Sequence, residues 1–341
     1  MPQHPFTALI VDQRENGQST ATSTELTDIK ALPNQADGDL LIRVTHSSLN
    51  YKDALAVTGK GKVLRKFPIV PGIDAAGFVE EAAENSAFQG GDEVLVTGYG
   101  LGEKVSGGYA GFCRVKENWA LPIPDGLSRQ DCMAIGTAGF TAMLSVLALE
   151  DHGVLPDQGP VVVTGATGGV GSIAILLLSK LGYEVVAATG RVEEQGDYLK
   201  SLGATELIHR EELANPSGKP LESERWAGAI DTVGGETLAS ILRQTKYRGS
   251  VAACGLAGGS NLPTTVFPFI LRGVNLLGID SVMCPRSLRE TAWHRLATDL
   301  DLEKLRGLQT VITFEDIPTI AQKILSGKVR GRLIVCLGQE K

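Results

Sequence analysis

The alternation of hydrophobic and polar positions divides the chain into two parts with different predicted structures. From Phe6 to about Leu121, short alternating or apolar runs are separated by glycine, proline and charged turns, a pattern that predicts a compact β-barrel. From Asp131 onward, a long helical stretch is followed by apolar runs that alternate with helical patterns, which is typical of a parallel sheet with helices on both faces. Strands of that sheet are predicted near Val161, Val185, Leu207, Ala229 and Val251, and at Asn275–Ile279.

The last part of the chain is expected to return to the first domain. The elements predicted there are a helix near Ser287–Leu300, a strand near Val311, a helix near Pro318–Leu325 and a strand at Arg332–Leu337. The pattern predicts an α/β protein with a doubly wound parallel sheet, in which residues 1–127 and 283–341 form one domain and residues 128–282 the other. The stretch N-P-S-G-K-P at 215–220 is predicted to be a surface loop of the second domain.

The stretch from Val161 to Gly171 is the central motif of the second domain. It begins with the β-branched run Val161–Val163, as expected for a doubly buried parallel strand, and continues into a glycine-rich turn. From Ser172 to Leu181 good helix formers fill an apolar stretch, and Gly182 follows where a left-handed cap is expected. Such a turn lets the backbone approach a diphosphate, and the helix N-terminal amides point at its charge. The motif predicts a bound dinucleotide.

The turn matches the G-x-G-x-x-G pattern imperfectly. Ala166, Gly168 and Gly171 occupy the three key positions, so the first is not glycine and the match alone is weak. The context strengthens it, because a second strand, Glu184–Thr189, follows at the right distance. The alternative is a glycine turn chosen only for packing. The residues expected to contact the cofactor here are Thr167, Gly168, Gly169 and Val170.

The end of the second strand indicates which nicotinamide cofactor is used. An NAD site usually carries an acid there, whereas this strand ends Thr189-Gly190-Arg191. A guanidinium can bind a 2′-phosphate through two charge-assisted hydrogen bonds, and the threonine hydroxyl can add a third. We also expect Arg210, after the next strand at Glu206–His209, to close over the adenine. The residues favour NADPH over NADH; the alternative is that Arg191 only begins the next helix.

The composition is that of an ordinary globular protein with a net negative charge. Hydrophobic residues make up 43% of the chain and charged residues 21%, and the net charge is −7, which disfavours nucleic acid or an anionic membrane as a partner. The five cysteines include no C-x-x-C pair, which argues against a zinc lobe and fits a reducing compartment such as the cytoplasm. No signal-peptide pattern is found at the N-terminus, and the interrupted apolar stretch Cys132–Leu149 is predicted to be a buried helix.

Six motifs, in order along the chain, resemble one group of proteins. They are S-S-L-N-Y-K-D-A (47–54), P-G-I-D-A-A-G (71–77), G-T-A-G-F-T-A-M (136–143), W-A-G-A-I-D-T-V-G (226–234), A-A-C-G-L-A-G-G (252–259) and T-T-V-F-P-F-I-L-R (264–272). They resemble the zinc-free acrylyl-CoA reductases of the YhdH/AcuI type, in the medium-chain dehydrogenase/reductase superfamily. The resemblance covers essentially the whole chain and implies a GroES-like β-barrel domain, 1–127 and 283–341, and a Rossmann domain, 128–282.

The zinc ligands of related dehydrogenases are not matched in this chain. Where zinc-dependent relatives carry G-H-E, the chain reads Gly72-Ile73-Asp74, and the early ligand cysteine has no counterpart near Asn50-Tyr51-Lys52. A catalytic zinc site needs three protein ligands and an open position. We therefore expect no metal, and hydride delivery to an activated C=C bond rather than alcohol oxidation.

The resemblance implies NADPH-dependent reduction of a 2-enoyl-CoA, with acrylyl-CoA as the substrate and propanoyl-CoA as the product. Tyr51 lies in the stretch that lines the cofactor cleft in the family, which implies a catalytic and cofactor-binding role for it. Asp74 is the second predicted catalytic residue, because it stands in the former metal-ligand segment. The alternatives are that Tyr51 is only a packing ring and that Asp74 only caps the glycine turn that begins at Gly72.

Four further cofactor contacts and a homodimer follow from the resemblance. The residues are Leu256, Ile270, Ser281 and Arg332. Relatives often dimerise by joining their nucleotide-domain sheets edge to edge, which implies a homodimer formed through Asn275–Ile279. A basic run, G-K-G-K-V-L-R-K at 59–66, is a candidate for binding the phosphates of CoA, although a solvated loop is the commoner explanation for such runs.

Two other functions fit the same residues. One is an NADPH:quinone oxidoreductase, which would need no site for CoA phosphates. The other is an NADPH-binding regulator that keeps the fold and has lost the chemistry; Tyr51, Thr189 and Arg191 argue against it because the candidate contacts are intact.

Overall fold

The structure is a computed structural model that describes residues 5–14, 17–215 and 218–338. Its helices and strands, besides short 3₁₀ turns, are β1 (Phe6–Gln13), β2 (Ser19–Leu26), β3 (Leu40–Ser48), α1 (Tyr51–Thr58), β4 (Asp74–Ala82), β5 (Glu93–Thr97), β6 (Phe112–Val115), β7 (Leu121–Pro122), α2 (Arg129–Asp151), β8 (Val161–Val163), α3 (Gly169–Lys180), β9 (Val185–Thr189), α4 (Val192–Leu202), β10 (Glu206–His209), α5 (Glu211–Ala214), β11 (Trp226–Asp231), α6 (Gly235–Gln244), β12 (Thr245–Ala253), α7 (Phe267–Arg272), β13 (Asn275–Gly278), α8 (Arg286–Asp299), α9 (Leu302–Gly307), β14 (Gln309–Ile312), α10 (Ile317–Leu325) and β15 (Arg332–Cys336).

The chain forms two compact units. The first comprises the described residues of 1–137, 282–290 and 306–341, and the second comprises those of 138–281 and 291–305. The predicted division differs by placing 128–137 and 282 in the second unit and 291–305 in the first. The reasons are local contacts: Thr137 donates to Asp74 of the first unit, and in the second unit Trp293 stacks on Phe140 with ring centroids 6.4 Å apart.

The second unit is built on a six-stranded parallel sheet. The strand order is β10-β9-β8-β11-β12-β13, so the chain moves outward from β8 in one direction and then in the other. β8 and β9 are buried along their full length, as their β-branched runs predict for a sheet covered on both faces. In such a sheet ligands bind beyond the carboxyl ends of the strands, where β8 leads into the glycine turn.

The first unit contains a seven-stranded sheet and a separate hairpin. The order β14-β15-β3-β4-β5-β7, with β6 paired to β3, brings strands from both ends of the chain together. The β1–β2 hairpin is a second, two-stranded sheet. The pairing of β15 with β3 confirms that the end of the chain returns to the first domain.

The long helix α2 is interrupted at Gly136, which has φ 49° and ψ −161°. The helix is long and apolar enough to cross a membrane by length and composition alone, but 83% of its most apolar window is buried inside the protein. That burial is typical of a core helix, which is the structure expected for Cys132–Leu149.

Three features of the structure differ from the predicted elements or lie beyond what it describes. The strand β2 was not predicted, because its sequence S-T-A-T-S-T-E-L is polar and it forms only by pairing with β1. The short helices α1 and α9 were not predicted either. Pro216 and Ser217 of the predicted loop at 215–220 lie outside the described residues.

Candidate functional site

The glycine turn after β8 is packed too closely for side chains at two positions. A Cβ at Gly165, which has φ +57°, would lie 2.2 Å from Thr232 Oγ1, and a Cβ at Gly171 would lie 2.5 Å from the Gly165 carbonyl oxygen. Gly168 is the exposed residue before α3, and Gly169 and Val170 are the first, half-buried residues of that helix. Backbone amides at the start of α3 are therefore open to an anion, as a diphosphate cradle requires.

The glycine turn and the end of β9 are joined by a hydrogen bond between side chains. Arg191 Nη2 donates to Thr167 Oγ1 at 2.7 Å, and the Arg191 amide donates to Thr189 Oγ1 at 3.2 Å. Thr167 and Thr189 are buried, whereas Arg191 is half-buried. The guanidinium is thus held beside the turn, so the two segments predicted separately from the sequence form one site.

Arg210 lies against Gly190 at the same end of the sheet. A Cβ at Gly190 would lie 2.8 Å from Arg210 Nε, and the Arg210 amide donates to the Thr189 carbonyl oxygen at 3.0 Å. A cleft of about 460 Å³ is lined there by Gly190, Arg191, Val192, Glu193, Glu194 and His209. Arg191 also directly precedes α4. Both interpretations of this arginine from the sequence, a residue at a helix start and a residue of a polar cleft, therefore agree with its position. A guanidinium in a polar cleft of this kind suits a phosphate group.

Asp231, at the carboxyl end of β11, supports the glycine turn and was missed by the sequence reasoning. Its carboxylate accepts hydrogen bonds from Thr164 Oγ1 at 2.7 Å and from the Gly234 amide at 2.7 Å. The side chain is fully buried, and burial raises its pKa despite these hydrogen bonds. An acid at the end of an otherwise apolar strand was the available signal.

Leu256, Ile270 and Ser281 also belong to the second unit. Leu256 is 67% exposed in the loop after β12, and Ile270 is 68% exposed on α7. Ser281 is half-buried beyond β13. The two apolar side chains present uncovered surface, but their contact with a cofactor stays a prediction.

In the first unit, Asp74 is the centre of a buried polar cluster. Its Oδ2 accepts from Ser48 Oγ at 2.5 Å, Asn50 Nδ2 at 3.0 Å and the Thr137 amide at 2.9 Å, and its Oδ1 accepts from Thr137 Oγ1 at 2.5 Å. Asp74 has no exposed surface. These contacts make it an anchor between β3, β4 and the break in α2, and it makes no contact with solvent.

A second carboxylate, Asp53, lies in the same cluster. It accepts hydrogen bonds from the Asn50 amide at 2.9 Å and the Ile73 amide at 3.0 Å. Burial, and secondarily the charge of Asp74, raise the pKa of Asp53 to about 7. Burial likewise raises the pKa of Tyr109 well above its usual value, and the Tyr109 hydroxyl donates to the Ser48 carbonyl oxygen at 2.9 Å.

The cation of the cluster is Arg332, which is 2% exposed on β15. Its guanidinium donates to the Ala134 carbonyl oxygen at 2.6 Å and to Asn50 Oδ1 at 3.1 Å. Burial lowers its pKa, while the charges of Asp74 and Asp53 oppose that shift. The structure therefore brings Arg332 together with Asp74 inside the first unit, and its predicted cofactor contact stays a prediction.

Tyr51 is the exposed member of this region. It is the first residue of α1, directly after Asn50, and its side chain is 51% exposed. Asn50 and Asp53 form a capping box at the start of the helix, which fixes the backbone that carries the tyrosine. The buried cluster thus determines where an accessible phenol is displayed.

Metal-ligating side chains are not clustered in the described residues: no group of three or more His, Cys, Asp or Glu there could hold a metal ion. At the position where zinc-dependent relatives carry a histidine, the backbone amide of Ile73 donates to Asp53.

Comparison with known proteins gives matches over the whole chain. The alcohol dehydrogenase GroES-like domain matches residues 36–125, and the domain described as zinc-binding dehydrogenase matches residues 169–298. The fold and the glycine turn define a medium-chain dehydrogenase/reductase, with a GroES-like domain and a Rossmann domain.

The acrylyl-CoA reductase AcuI of Ruegeria pomeroyi is 50% identical over 97% of this chain and 98% of its own length. The yhdH oxidoreductase of Salmonella enterica, solved in complex with NADP, has a TM-score of 0.93 and 52% identity over 97% of this chain and 100% of that one. The chain belongs to the AcuI/YhdH family of oxidoreductases.

A third relative carries a different cofactor. The yhfP protein of Bacillus subtilis, solved with NAD bound, has a TM-score of 0.92 and 44% identity over 98% of this chain and 100% of that one. It is provisionally named a quinone oxidoreductase. The relatives therefore differ in the cofactor with which they were solved and in the substrate that their names give. The choice for this chain depends on its own residues.

Proposed function

We propose that the protein reduces the C=C bond of a 2-enoyl-CoA with NADPH, converting acrylyl-CoA to propanoyl-CoA. The observation that carries the proposal is the 50% identity, over almost the full length of both chains, to a relative named acrylyl-CoA reductase. The Thr167–Arg191 pair beside the glycine turn supports NADPH, because a guanidinium suits a 2′-phosphate.

The second unit would hold the cofactor. Thr167, Gly168, Gly169 and Val170 would contact the diphosphate, and Thr189, Gly190, Arg191 and Arg210 the 2′-phosphate and adenine. When bound, NADPH supplies the hydride that adds to Cβ of the enoyl thioester. Leu256, Ile270 and Ser281 would cover the cofactor from the loops beyond β12 and β13.

The first unit would supply the groups that act on the substrate. Addition at Cβ forms a C–H bond, moves the π electrons to Cα and the thioester oxygen, and is completed by protonation at Cα. Tyr51 is exposed and would donate its hydroxyl to the developing negative charge or contact the nicotinamide. Asp74 is buried and would act by holding Asn50, the residue before Tyr51, in place.

The proposal includes a reaction without metal. The chain places Ile73 where a ligand histidine would stand, and the carboxylates of Asp53 and Asp74 are already engaged by protein donors. We infer a cytoplasmic protein from its five free cysteines, and a homodimer formed through the exposed edge strand β13.

Steady-state oxidation of NADPH by a panel of enoyl-CoA esters and benzoquinones, repeated with NADH, tests the proposed function. We expect the highest kcat/KM with acrylyl-CoA and NADPH. Equal or better turnover of quinones would favour the second candidate, a quinone oxidoreductase, which the name of the Bacillus relative supports. Tight binding of NADPH without turnover of either substrate class would indicate a regulator.

The cofactor preference has its own test in Thr167→Val, which removes the acceptor that orients Arg191. We expect the Kd for NADPH to rise about fivefold more than the Kd for NADH, the equivalent of roughly 1 kcal/mol for one hydrogen bond, because both cofactors share the diphosphate and only NADPH carries the 2′-phosphate. Equal weakening of both cofactors would show that Thr167 serves the diphosphate alone.

A further inference from the structure

Five exposed basic side chains lie on the surface of the first unit after the end of α1. This basic surface consists of Lys60, Lys62, Arg65, Lys66 and Lys104. Within the described part of the chain, none of the five side chains forms a hydrogen bond or an ion pair. Five uncompensated cations repel one another, and the chain as a whole carries a net charge of −7. A bound anion would relieve that repulsion.

The loop that carries four of these residues is fixed at two points. A Cβ at Gly61 would lie 3.2 Å from Leu55 Cβ, so the loop backbone packs directly on α1. The Arg65 amide donates to the Glu103 carbonyl oxygen at 2.9 Å, which joins the loop to the segment that carries Lys104. A solvated basic loop needs no such attachment. A binding surface has a higher affinity when its loop is already fixed, because less conformational entropy is lost on binding.

The carboxylate of Glu103, at this junction, is neutralised by another lysine. Lys52 Nζ lies 2.9 Å from Glu103 Oε1, and Lys52 is half-buried on α1. The stem of Lys104 lies over Gly100, where a Cβ would be 3.2 Å from its Cδ. Glu103 therefore pairs with Lys52, and the positive charge of the five remaining side chains is not cancelled.

We propose that the basic surface binds the phosphate groups of the CoA portion of the substrate. The inference rests on the proposed function and identifies a binding site for it. Tyr51 begins α1 and Lys60 follows its end, so the eight-residue helix separates the two by about 12 Å. An acyl group near Tyr51 and phosphates on the basic surface would lie at opposite ends of one extended ligand.

Isothermal titration of the protein with CoA, under saturating NADPH, tests the site without requiring turnover. The variant is Lys62→Gln/Arg65→Gln/Lys104→Gln, and Lys30→Gln/Lys180→Gln/Lys200→Gln is the matched control with the same loss of charge at exposed positions. We expect the Kd for CoA to rise about tenfold in the first variant and to stay unchanged in the control, as three weak exposed ion pairs would give. Pantetheine, which has no phosphate, should bind both variants and the parent protein equally.

Unchanged affinity for CoA in the first variant, or equal weakening in the control, would overturn the site. The outcome is separate from that of the proposed function. If the parent protein turns over acrylyl-CoA but the first variant binds CoA with an unchanged Kd, the proposed function is supported and the phosphate site is contradicted. If the variant binds CoA more weakly but the parent protein turns over no enoyl-CoA, the site is supported and the function is contradicted. No measurable binding of CoA to the parent protein would remove both.

Discussion

At the scale of single residues, the buried acids and the accessible phenol of the first unit have different tasks. Asp74 receives four hydrogen bonds and has no exposed surface, whereas Tyr51 is half-exposed and begins α1. A group enclosed in this way can act on a substrate only through the residues it holds. Asn50 is such a residue, because it donates to Asp74 and precedes Tyr51 directly.

A double-mutant cycle tests whether Asp74 acts through Tyr51. Asp74→Asn removes the negative charge beside Arg332 and is expected to lower the free energy of unfolding by about 3 kcal/mol and kcat by at least tenfold. Tyr51→Phe should lower kcat without affecting stability, and the double variant should lose no more kcat than the worse single one. Additive losses in kcat would show that the two residues act separately. Glu80→Gln, on the exposed part of the same strand, is the control.

Asp53 makes the stability of the protein depend on pH. The pKa of Asp53 is about 7 in the folded state, against the ordinary 3.8 of an aspartate in the unfolded state, so between about pH 4 and pH 7 the folded state binds more protons than the unfolded state. Stability from this group is therefore greatest at low pH and is lost as the pH rises through 7. The full loss amounts to about 4 kcal/mol at 1.36 kcal/mol per pKa unit.

Asp53→Asn should remove that dependence, whatever it costs in hydrogen bonds. We expect the difference in free energy of unfolding between parent and variant, from urea titrations at pH 5 and pH 8, to shift in favour of the variant at pH 8. A constant difference across that range would contradict a raised pKa.

Residues that follow a strand in sequence could be predicted, and residues that meet across the fold could not. Thr189, Gly190 and Arg191 are consecutive, so the chain itself shows the absence of an acid there. The cluster around Asp74 is assembled from β3, β4, α2 and β15, and no local pattern indicates that Ser48 or Thr137 would be part of it. The antiparallel pairing of β3 and β4 brings Ser48 to Asp74, and the break in α2 at Gly136 brings Thr137 there.

At the scale of elements, apolar periodicity predicted most strands and helices but not the break inside a helix. The predicted strand Glu206–His209 is found with those bounds, because an apolar run between a glycine cap and a charged turn leaves little freedom. Gly136 gives no such signal, since a glycine inside an apolar helix can be helical or not. Its positive φ is set by what surrounds it: a Cβ there would lie 2.6 Å from Asp74 Oδ2 and 2.8 Å from Arg332 Nη2.

Gly136→Ala should therefore be far more damaging than the same change at an open site. It adds a methyl group against two buried charged groups at a position with φ 49°, and we expect a loss of at least 3 kcal/mol in the free energy of unfolding. Gly153→Ala is the matched control, because Gly153 has φ +75° but nothing within 4 Å of its Cβ position, and it should cost about 1 kcal/mol. Equal losses in both variants would show that backbone strain alone explains the glycine at 136.

At the scale of the whole molecule, one edge of the six-stranded sheet is open. β13 is the last strand in the sheet order, and Leu276 on it is 38% exposed. On the neighbouring helix α7, Ile270 is 68% and Leu271 is 57% exposed. An uncovered edge strand with apolar side chains favours aggregation of a monomer, and it can form an interface with a second copy of the chain.

The homodimer proposed above can be tested at this edge. Leu276→Glu places a charge on the strand, and we expect a dimer of the parent protein to become monomeric in sedimentation velocity. Leu155→Glu is the control, because Leu155 is 50% exposed and lies far along the chain from β13. A Leu276→Glu protein that sediments as the parent does would place the interface elsewhere or exclude one.

The position of the unit boundary also determines where this chain can be recombined with a relative. The Thr137 hydroxyl and amide bind Asp74, and the carbonyl oxygen of Ala134 binds Arg332, so the segment up to 137 completes the polar cluster of the first unit. A chimera that takes its nucleotide-binding half from another protein must therefore have its crossover after Thr137. A crossover at 128 would import foreign residues into a cluster where the Asp74 carboxylate and the Arg332 guanidinium depend on that segment for hydrogen bonds.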